Sequence, residues 1–142
     1  MFLGEHQHSL DAKGRVILPA RFRDQLEHGA VMAKALDGCL AVYPMDEWER
    51  VAEKARELAQ RGARERQAAR ALAAGAVEIV PDKQGRVAIP PNLREFAQLQ
   101  RDVIVAGMFH RIEIWDAQRF RELDREGDAS ILSAEELPDL GM

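Results

Sequence analysis

The chain has 142 residues, of which 46% are hydrophobic and 31% are charged. We expect one compact domain or two small fused halves, because this composition excludes a chain that is disordered throughout. No apolar run is long enough to span a membrane, the N-terminus lacks a secretory-signal pattern, and Cys39 is the single cysteine. With no internal disulfide and no thiol pair for zinc, the sequence fits a reduced, cytoplasmic setting best.

The net charge of −4 is unevenly distributed along the chain. Residues 122–142 hold seven acidic residues and one arginine, a net of −6, so the preceding 121 residues carry +2. Binding depends on where charge lies rather than on its sum. The acidic balance therefore does not exclude a local basic surface or a nucleic-acid partner.

The first unit of the chain, residues 1–45, has the pattern of a small β-rich fold. Alternation, turn residues and the spacing of apolar positions predict its elements. In chain order these are strands at 5–10 and 15–18, a short helix around Phe22 and Leu26, and strands near 30–34 and 39–43.

Residues 46–75 differ in composition and read as a helical linker. Asp46 and Glu49 have the spacing of a helix capping box. Apolar residues follow at three- and four-residue spacing, which predicts a helix with one packed face, in the core or against another subunit. Gly62 is expected to break this helix, and an alanine-rich second helix to continue to about Ala74, so the linker forms a helical hairpin.

The second unit, residues 76–121, repeats the pattern of the first and precedes an acidic tail at 122–142. We expect residues 127–142 of that tail to be loosely held, since they have little apolar content. The predicted elements of the second unit are strands at 76–80 and 86–89, a helix around Leu93 and Ala97, and strands at 102–106 and 111–115.

Internal similarity shows that the two units are copies of one another. Segments 11–23 and 82–94 are identical at six of thirteen positions, at an offset of 71 residues. Segments 31–48 and 103–120 align in the same order at an offset of 72. Two independent matches at nearly one offset indicate a duplicated unit. The identical pairs of the first match are Asp11/Asp82, Gly14/Gly85, Arg15/Arg86, Val16/Val87, Pro19/Pro90 and Arg23/Arg94.

The motif Asp-x-x-Gly-Arg occurs in both units, at 11–15 and 82–86. Aspartate favours the start of a turn, where its carboxylate accepts backbone N–H groups, and glycine supplies a left-handed backbone conformation. Aspartate and arginine flank the loop and can pair across it. A single copy would indicate a stable turn and nothing more.

Two copies in an acidic chain favour a binding surface. Segment 11–23 carries a net charge of +3 and segment 82–94 a net charge of +2. If the units pack about a local twofold axis, the two turns would lie close together and combine their charge. An arginine oriented by a carboxylate can bind phosphate oxygens or guanine O6 and N7, and a β-ribbon can enter the major groove.

These residues resemble those of the MraZ family of bacterial transcriptional regulators. The resemblance covers about nine-tenths of the chain, with the acidic tail outside it. It rests on four segments, which read MFLGEHQHSLDAKGR from Met1, LDGCL from Leu36, YP from Tyr43 and IEIW from Ile112.

The resemblance implies an α+β fold, an AbrB-like swapped-hairpin β-barrel built from two tandem repeats. It also implies a ring-shaped homo-oligomer that binds short direct repeats of double-stranded DNA in the promoter of its own division and cell-wall gene cluster, at the nucleoid. The expected DNA-binding residues are Arg15, Arg86, Lys13 and Lys83, and the expected orienting residues are Asp11, Gly14, Asp82 and Gly85. Unit two has Gln84 where unit one has Lys13, and Lys83 where unit one has Ala12.

Other readings carry less weight. An antitoxin-type protein-interaction module using the same barrel is the main alternative. No Ser/His/Asp grouping, phosphate-binding loop or metal-ligand spacing indicates an enzyme, so we expect no catalytic residue, cofactor, metal or small-molecule substrate. We interpret His6 and His8 as strand-surface residues and Cys39 as buried. The basic segment 61–66, which contains three arginines, fits a solvated helix face or an interface better than a DNA contact.

Overall fold

The computed structural model describes residues 1–133 and 139–141. Eight strands and five helices follow the order β1–β2–α1–β3–β4–α2–α3–β5–β6–α4–β7–β8–α5, and short 3₁₀ turns follow α1 and β3. No helix in these two ranges is long and apolar enough to cross a membrane. The strands are β1 Glu5–Ser9, β2 Arg15–Ile17, β3 Ala30–Lys34, β4 Leu40–Pro44, β5 Val77–Ile79, β6 Arg86–Ala88, β7 Asp102–Met108 and β8 Arg111–Asp116. The helices are α1 Ala20–Arg23, α2 Met45–Ala59, α3 Ala63–Gly75, α4 Pro91–Phe96 and α5 Ala117–Leu132.

The two repeats exchange strands, which confirms the α+β swapped-hairpin barrel. A six-stranded antiparallel sheet has the order β1-β7-β8-β4-β3-β5, and β2 pairs with β6 in a separate two-stranded ladder. The first strand of each repeat therefore bonds to the third strand of the other: β1 to β7, and β5 to β3. Because each repeat completes the sheet of its partner, neither half has a closed core of its own.

One continuous core lies between the sheet and the β2–β6 ladder. Alternate residues of a strand point to opposite faces, so Ile112 and Ile114 of β8 enter this core while Trp115 lies on the other face, where α5 packs. The helical hairpin of α2 and α3 covers β3 and β4 in the same way. The largest fully buried side chains are Phe22, Leu18, Met32, Leu40, Ile89, Leu93, Ile104, Ile112 and Ile114.

The predicted helical hairpin is confirmed, but its predicted capping box is wrong. Helix α2 ends at Ala59 and α3 starts at Ala63, with Gly62 between them. The N-cap of α2 is Pro44, with no side-chain cap, and Asp46 lies inside the first turn, where its carboxylate accepts the N–H of Glu47. An N-cap residue must have non-helical backbone angles, and the extended Pro44 meets that condition two residues earlier.

The acidic segment is more ordered than the sequence predicts. Helix α5 begins after Asp116, whose carboxylate accepts the N–H of Arg119, and continues to Leu132. Residues 127–132 are therefore helical, which the sequence did not predict, but they are almost entirely exposed, so their loose attachment to the rest of the protein stays a prediction. Residues 134–138 and 142 of that segment lie outside the described residues.

Candidate nucleic-acid interface

A single carboxylate organises the first turn, residues 11–15. Asp11 Oδ1 accepts the backbone N–H groups of Lys13 and Arg15 at 2.9 and 2.8 Å. Its Oδ2 accepts Arg15 Nε at 2.7 Å. Gly14 completes the turn with a φ of +73°, in the left-handed region that glycine adopts at little cost. Asp11 therefore fixes the turn backbone and the direction of the Arg15 side chain together.

The second turn, residues 82–86, has the same geometry. Asp82 Oδ1 accepts the N–H groups of Gln84 and Arg86, both at 2.9 Å. Its Oδ2 accepts Arg86 Nε at 2.8 Å, and Gly85 has a φ of +82°. The two turns thus present two arginines that are oriented in the same way.

These hydrogen bonds hold the pKa of both aspartates below the ordinary value. The backbone N–H of Arg15 is the largest cause for Asp11, and that of Arg86 is the largest cause for Asp82. Each bond favours the ionised carboxylate. Both aspartates are therefore anionic at neutral pH, and each keeps its arginine oriented there.

Arg15 and Arg86 lie on the same face of the β2–β6 ladder. Side chains that are opposite or two apart share a face, so the register groups four of them on the outer face: Arg15, Ile17, Arg86 and Ala88. Val16 and Val87, on the other face, are buried in the core. The arginines are diagonal neighbours, and such pairs lie roughly 7–8 Å apart. The fold therefore brings together two positions that are 71 residues apart.

The two predicted lysines lie beside this pair, at exposed positions that are not equivalent. Lys13 is the third residue of the first turn, whereas Lys83 is the second residue of the second turn. Lys13, Arg15, Lys83 and Arg86 together form what we call the basic face. The arginines obey the local twofold symmetry, and the lysines break it.

Two further arginines contact the turns and were not predicted as site residues. Arg23 Nη1 lies 3.5 Å from the carbonyl oxygen of Gln84, in the second turn. The guanidinium of Arg94 lies against Gly14, in the first turn. Their identity in the repeat alignment, Arg23/Arg94, was the signal that could have identified them.

The remaining residues singled out in the sequence are not part of the basic face. The imidazole of His6 packs edge-on against Phe22, with ring centroids 5.4 Å apart. Cys39 is fully buried, as predicted, and burial raises the pKa of its thiol to about 12. Among the described residues, no three His, Cys, Asp or Glu side chains are grouped as metal ligands.

Comparison with known proteins agrees with the duplicated architecture. The chain matches the family model described as "MraZ protein, putative antitoxin-like" twice, over residues 1–71 and 72–137. It is 44% identical to a protein of Natranaerobius thermophilus over 140 residues, which is 98% of each chain. It is 43% identical to a protein of Syntrophomonas wolfei and 44% identical to one of Pediococcus pentosaceus, over the full length of both. All three relatives are named Transcriptional regulator MraZ. With two family matches covering nearly every residue and relatives of this similarity along the whole length, the chain belongs to the MraZ family.

Proposed function

We propose that this chain is a transcriptional regulator that binds double-stranded DNA sequence-specifically through the basic face. The observation that carries the proposal is the pair Arg15 and Arg86, two oriented arginines on one exposed face of a two-stranded ladder. Relatives named as transcriptional regulators support the same function. The activity needs no cofactor, metal or small-molecule substrate, and the protein acts as a binding protein rather than an enzyme.

The geometry suggests a role for each residue. The Nε of Arg15 and that of Arg86 are bonded to aspartate, which leaves the far side of each guanidinium for a ligand. That side has two N–H groups that suit guanine O6 and N7 or two phosphate oxygens. Lys13 and Lys83 are flexible point charges suited to phosphate. Asp11 and Asp82 orient the arginines and do not contact DNA.

Self-association is the second part of the proposal. We infer a ring of several copies, each contributing one basic face to short direct repeats in the promoter of its own division and cell-wall gene cluster. One face spans few phosphates, so several linked faces would bind far more tightly through effective concentration. Promoter DNA as the partner implies a cytoplasmic location at the nucleoid. In this account the repeats are residues 1–45 and 76–121, joined by the linker 46–75 and followed by the acidic segment 122–142.

The helical hairpin offers a surface for such an assembly. Two open apolar grooves, of about 360 and 440 Å³, lie along α2 and α3. Ala55, Ala69 and Leu72 line both of them. Exposed apolar grooves of this kind mark interaction surfaces. Arg66, the last residue of the basic segment 61–66, lines the smaller groove together with Arg56 and Arg70, which favours an interface for that residue.

An antitoxin-type interaction module is the second candidate. The family description contains the word antitoxin-like, and the grooves on the helical hairpin suit a protein partner. Such a module would bind a small protein with fixed stoichiometry and would not require the basic face.

Titration of a fluorescent duplex from the upstream region of the gene, against a scrambled duplex, tests the proposal. We expect preference for the upstream duplex and a steep loss of affinity with salt, with a log–log slope of about −0.9 per phosphate contacted. Equal or absent binding to both duplexes would remove the regulator function. Capture of a stoichiometric small protein without DNA affinity would favour the antitoxin-type module.

A further inference from the structure

Each of the two turns is contacted by an arginine of the other repeat. Arg23, in the first repeat, donates from Nη1 to the carbonyl oxygen of Leu18 at 3.2 Å and reaches that of Gln84 at 3.5 Å. Arg94, in the second repeat, donates from Nη1 to the carbonyl oxygen of Ile89 at 2.5 Å. Each arginine is thus anchored on its own repeat while its guanidinium lies over the opposite turn.

The turn glycines leave room for these guanidinium groups. A Cβ atom added to Gly14 would lie 1.7 Å from Arg94 Nη1, and one added to Gly85 would lie 1.4 Å from Arg23 Nη1. The arginines occupy the volume that a turn side chain would fill. Both glycines are buried although their turns are at the surface, because the guanidinium groups cover them.

The backbone joins the turns in the same crossed pattern. The N–H of Leu18 donates to the carbonyl oxygen of Gly85 at 2.9 Å, and that of Ile89 donates to Gly14 at 3.0 Å. Each turn glycine is therefore bonded through its carbonyl, and covered at its Cα, by the repeat to which it does not belong. Two symmetric copies of this arrangement argue against an accidental contact.

We propose that Arg23 and Arg94 are positioning residues that act across the repeats, Arg94 on the first turn and Arg23 on the second. Arg94 holds the turn that orients Arg15, and Arg23 holds the turn that orients Arg86. The inference rests on the proposed DNA binding by the basic face. Each turn then requires the other repeat to be folded and in place.

A double-mutant cycle tests the crossed pattern in the full-length protein. The affinity for the upstream duplex is measured for Arg94→Gln alone and for Arg94→Gln combined with Arg15→Ala or with Arg86→Ala. The titrations are made at low ionic strength, where the residual affinity of the variants is highest. We expect Arg94→Gln to weaken binding roughly tenfold in the wild type and with Arg86→Ala, the order of a lost charged hydrogen bond. With Arg15→Ala already present the further loss should be less than about twofold, because the residue through which Arg94 acts is gone. Arg23→Gln should show the reverse pattern.

Equal losses in every background would overturn the proposal, since they would mean that Arg94 contacts DNA independently. Arg21→Gln is the matched control, because Arg21 is an exposed arginine of α1 two residues from Arg23. Its effect, of whatever size, should be the same in every background. If Arg94→Gln does not fold, Arg94→Lys takes its place, since lysine keeps the charge and loses the planar fork.

Amide hydrogen exchange without DNA separates this inference from the proposed function. In Arg94→Gln we expect faster exchange at Gly14 and Arg15, with no change at Gly85 and Arg86. Faster exchange at both turns alike would indicate general destabilisation and contradict the crossed assignment. If the wild type binds no DNA, the proposed function fails, while this exchange pattern still tests the positioning role.

Discussion

Val16 and Val87 stand directly opposite each other at the centre of the β2–β6 ladder, with both side chains buried. They are equivalent residues of the two repeats, 71 positions apart, so the local twofold axis passes between them. Their flanking residues are therefore related by that axis. This relationship brings Arg15 and Arg86 to one exposed face, so the duplicated motif builds a single basic face rather than two separate ones.

Alanine at either turn glycine is expected to weaken DNA binding more than it weakens folding. Gly14→Ala forces a side chain into a φ of +73° and pushes the Arg94 guanidinium away from the turn. The left-handed conformation alone costs about 1–2 kcal/mol of unfolding free energy. Gly4→Ala is the matched control, because Gly4 also has a positive φ, of +91°, and no atom of the described residues lies within 4 Å of the added Cβ. Denaturant unfolding and duplex titration should show loss of affinity for Gly14→Ala and Gly85→Ala but wild-type affinity for Gly4→Ala. Equal affinities in all three would contradict the prediction.

Acid should loosen the turns only well below neutral pH. The pKa of Asp11 is lowered in the folded protein, chiefly by the N–H of Arg15, from an ordinary value of 3.8. A lowered carboxyl pKa adds stability that is complete above the unfolded value and is lost as pH falls through the folded value. NMR shifts of the Lys13 and Arg15 amides should therefore be constant from about pH 7 to 5 and change only below the ordinary aspartate range. Asp11→Asn should abolish that change in the first turn and leave it in the second. A transition of these amides near neutral pH would show that another group controls the turn.

Cys39 should be inert in the folded protein. Its thiol is buried, donates to the carbonyl oxygen of Leu36 at 3.6 Å, and has a pKa raised to about 12, mainly by burial. The thiolate is the reactive form, so very little is present at pH 8. Iodoacetamide should modify Cys39 at a negligible rate in buffer and rapidly in urea. Fast modification of the native protein would mean that the loop of residues 36–38 opens readily.

The helical hairpin should carry the self-association. Ala69 lines both apolar grooves, so Ala69→Glu would introduce a charge into each. We expect the assembly of this variant to have a lower mass than that of the wild type by light scattering after size exclusion. Its far-UV circular dichroism spectrum should be unchanged. Ala74→Glu is the matched control, since Ala74 is exposed on the same helix and lines neither groove. An assembly of wild-type size for Ala69→Glu would assign the interface to another surface.

Much of the local structure could be predicted from the sequence because it depends on neighbouring residues. The strands, the break at Gly62 and the Asp-x-x-Gly-Arg turns all follow from short-range patterns of side-chain type. The exchange of strands between repeats depends on pairings 45 to 101 residues apart in sequence, and only the family resemblance indicated it. The helix start at Met45 was missed because proline at the N-cap leaves no side-chain hydrogen bond to recognise.

The site could be predicted in part for the same reason. Aspartate and arginine of one turn are four residues apart, so their pairing is readable from the chain. Arg23 and Arg94 act on turns of the other repeat, and their role depends on the register of the β2–β6 ladder. The repeat alignment marked both arginines as a matched pair, but it could not indicate which turn each one contacts.

The most direct test of the central claim is the affinity of the Arg15→Ala/Arg86→Ala protein for the upstream duplex. The control is Arg61→Ala/Arg64→Ala, which removes the same charge from exposed positions of the linker. We expect the first protein to lose sequence preference and most of its affinity while keeping its assembly size, and the second to bind as the wild type does. Wild-type affinity in the Arg15→Ala/Arg86→Ala protein would contradict the account, because DNA would then be bound elsewhere on the molecule.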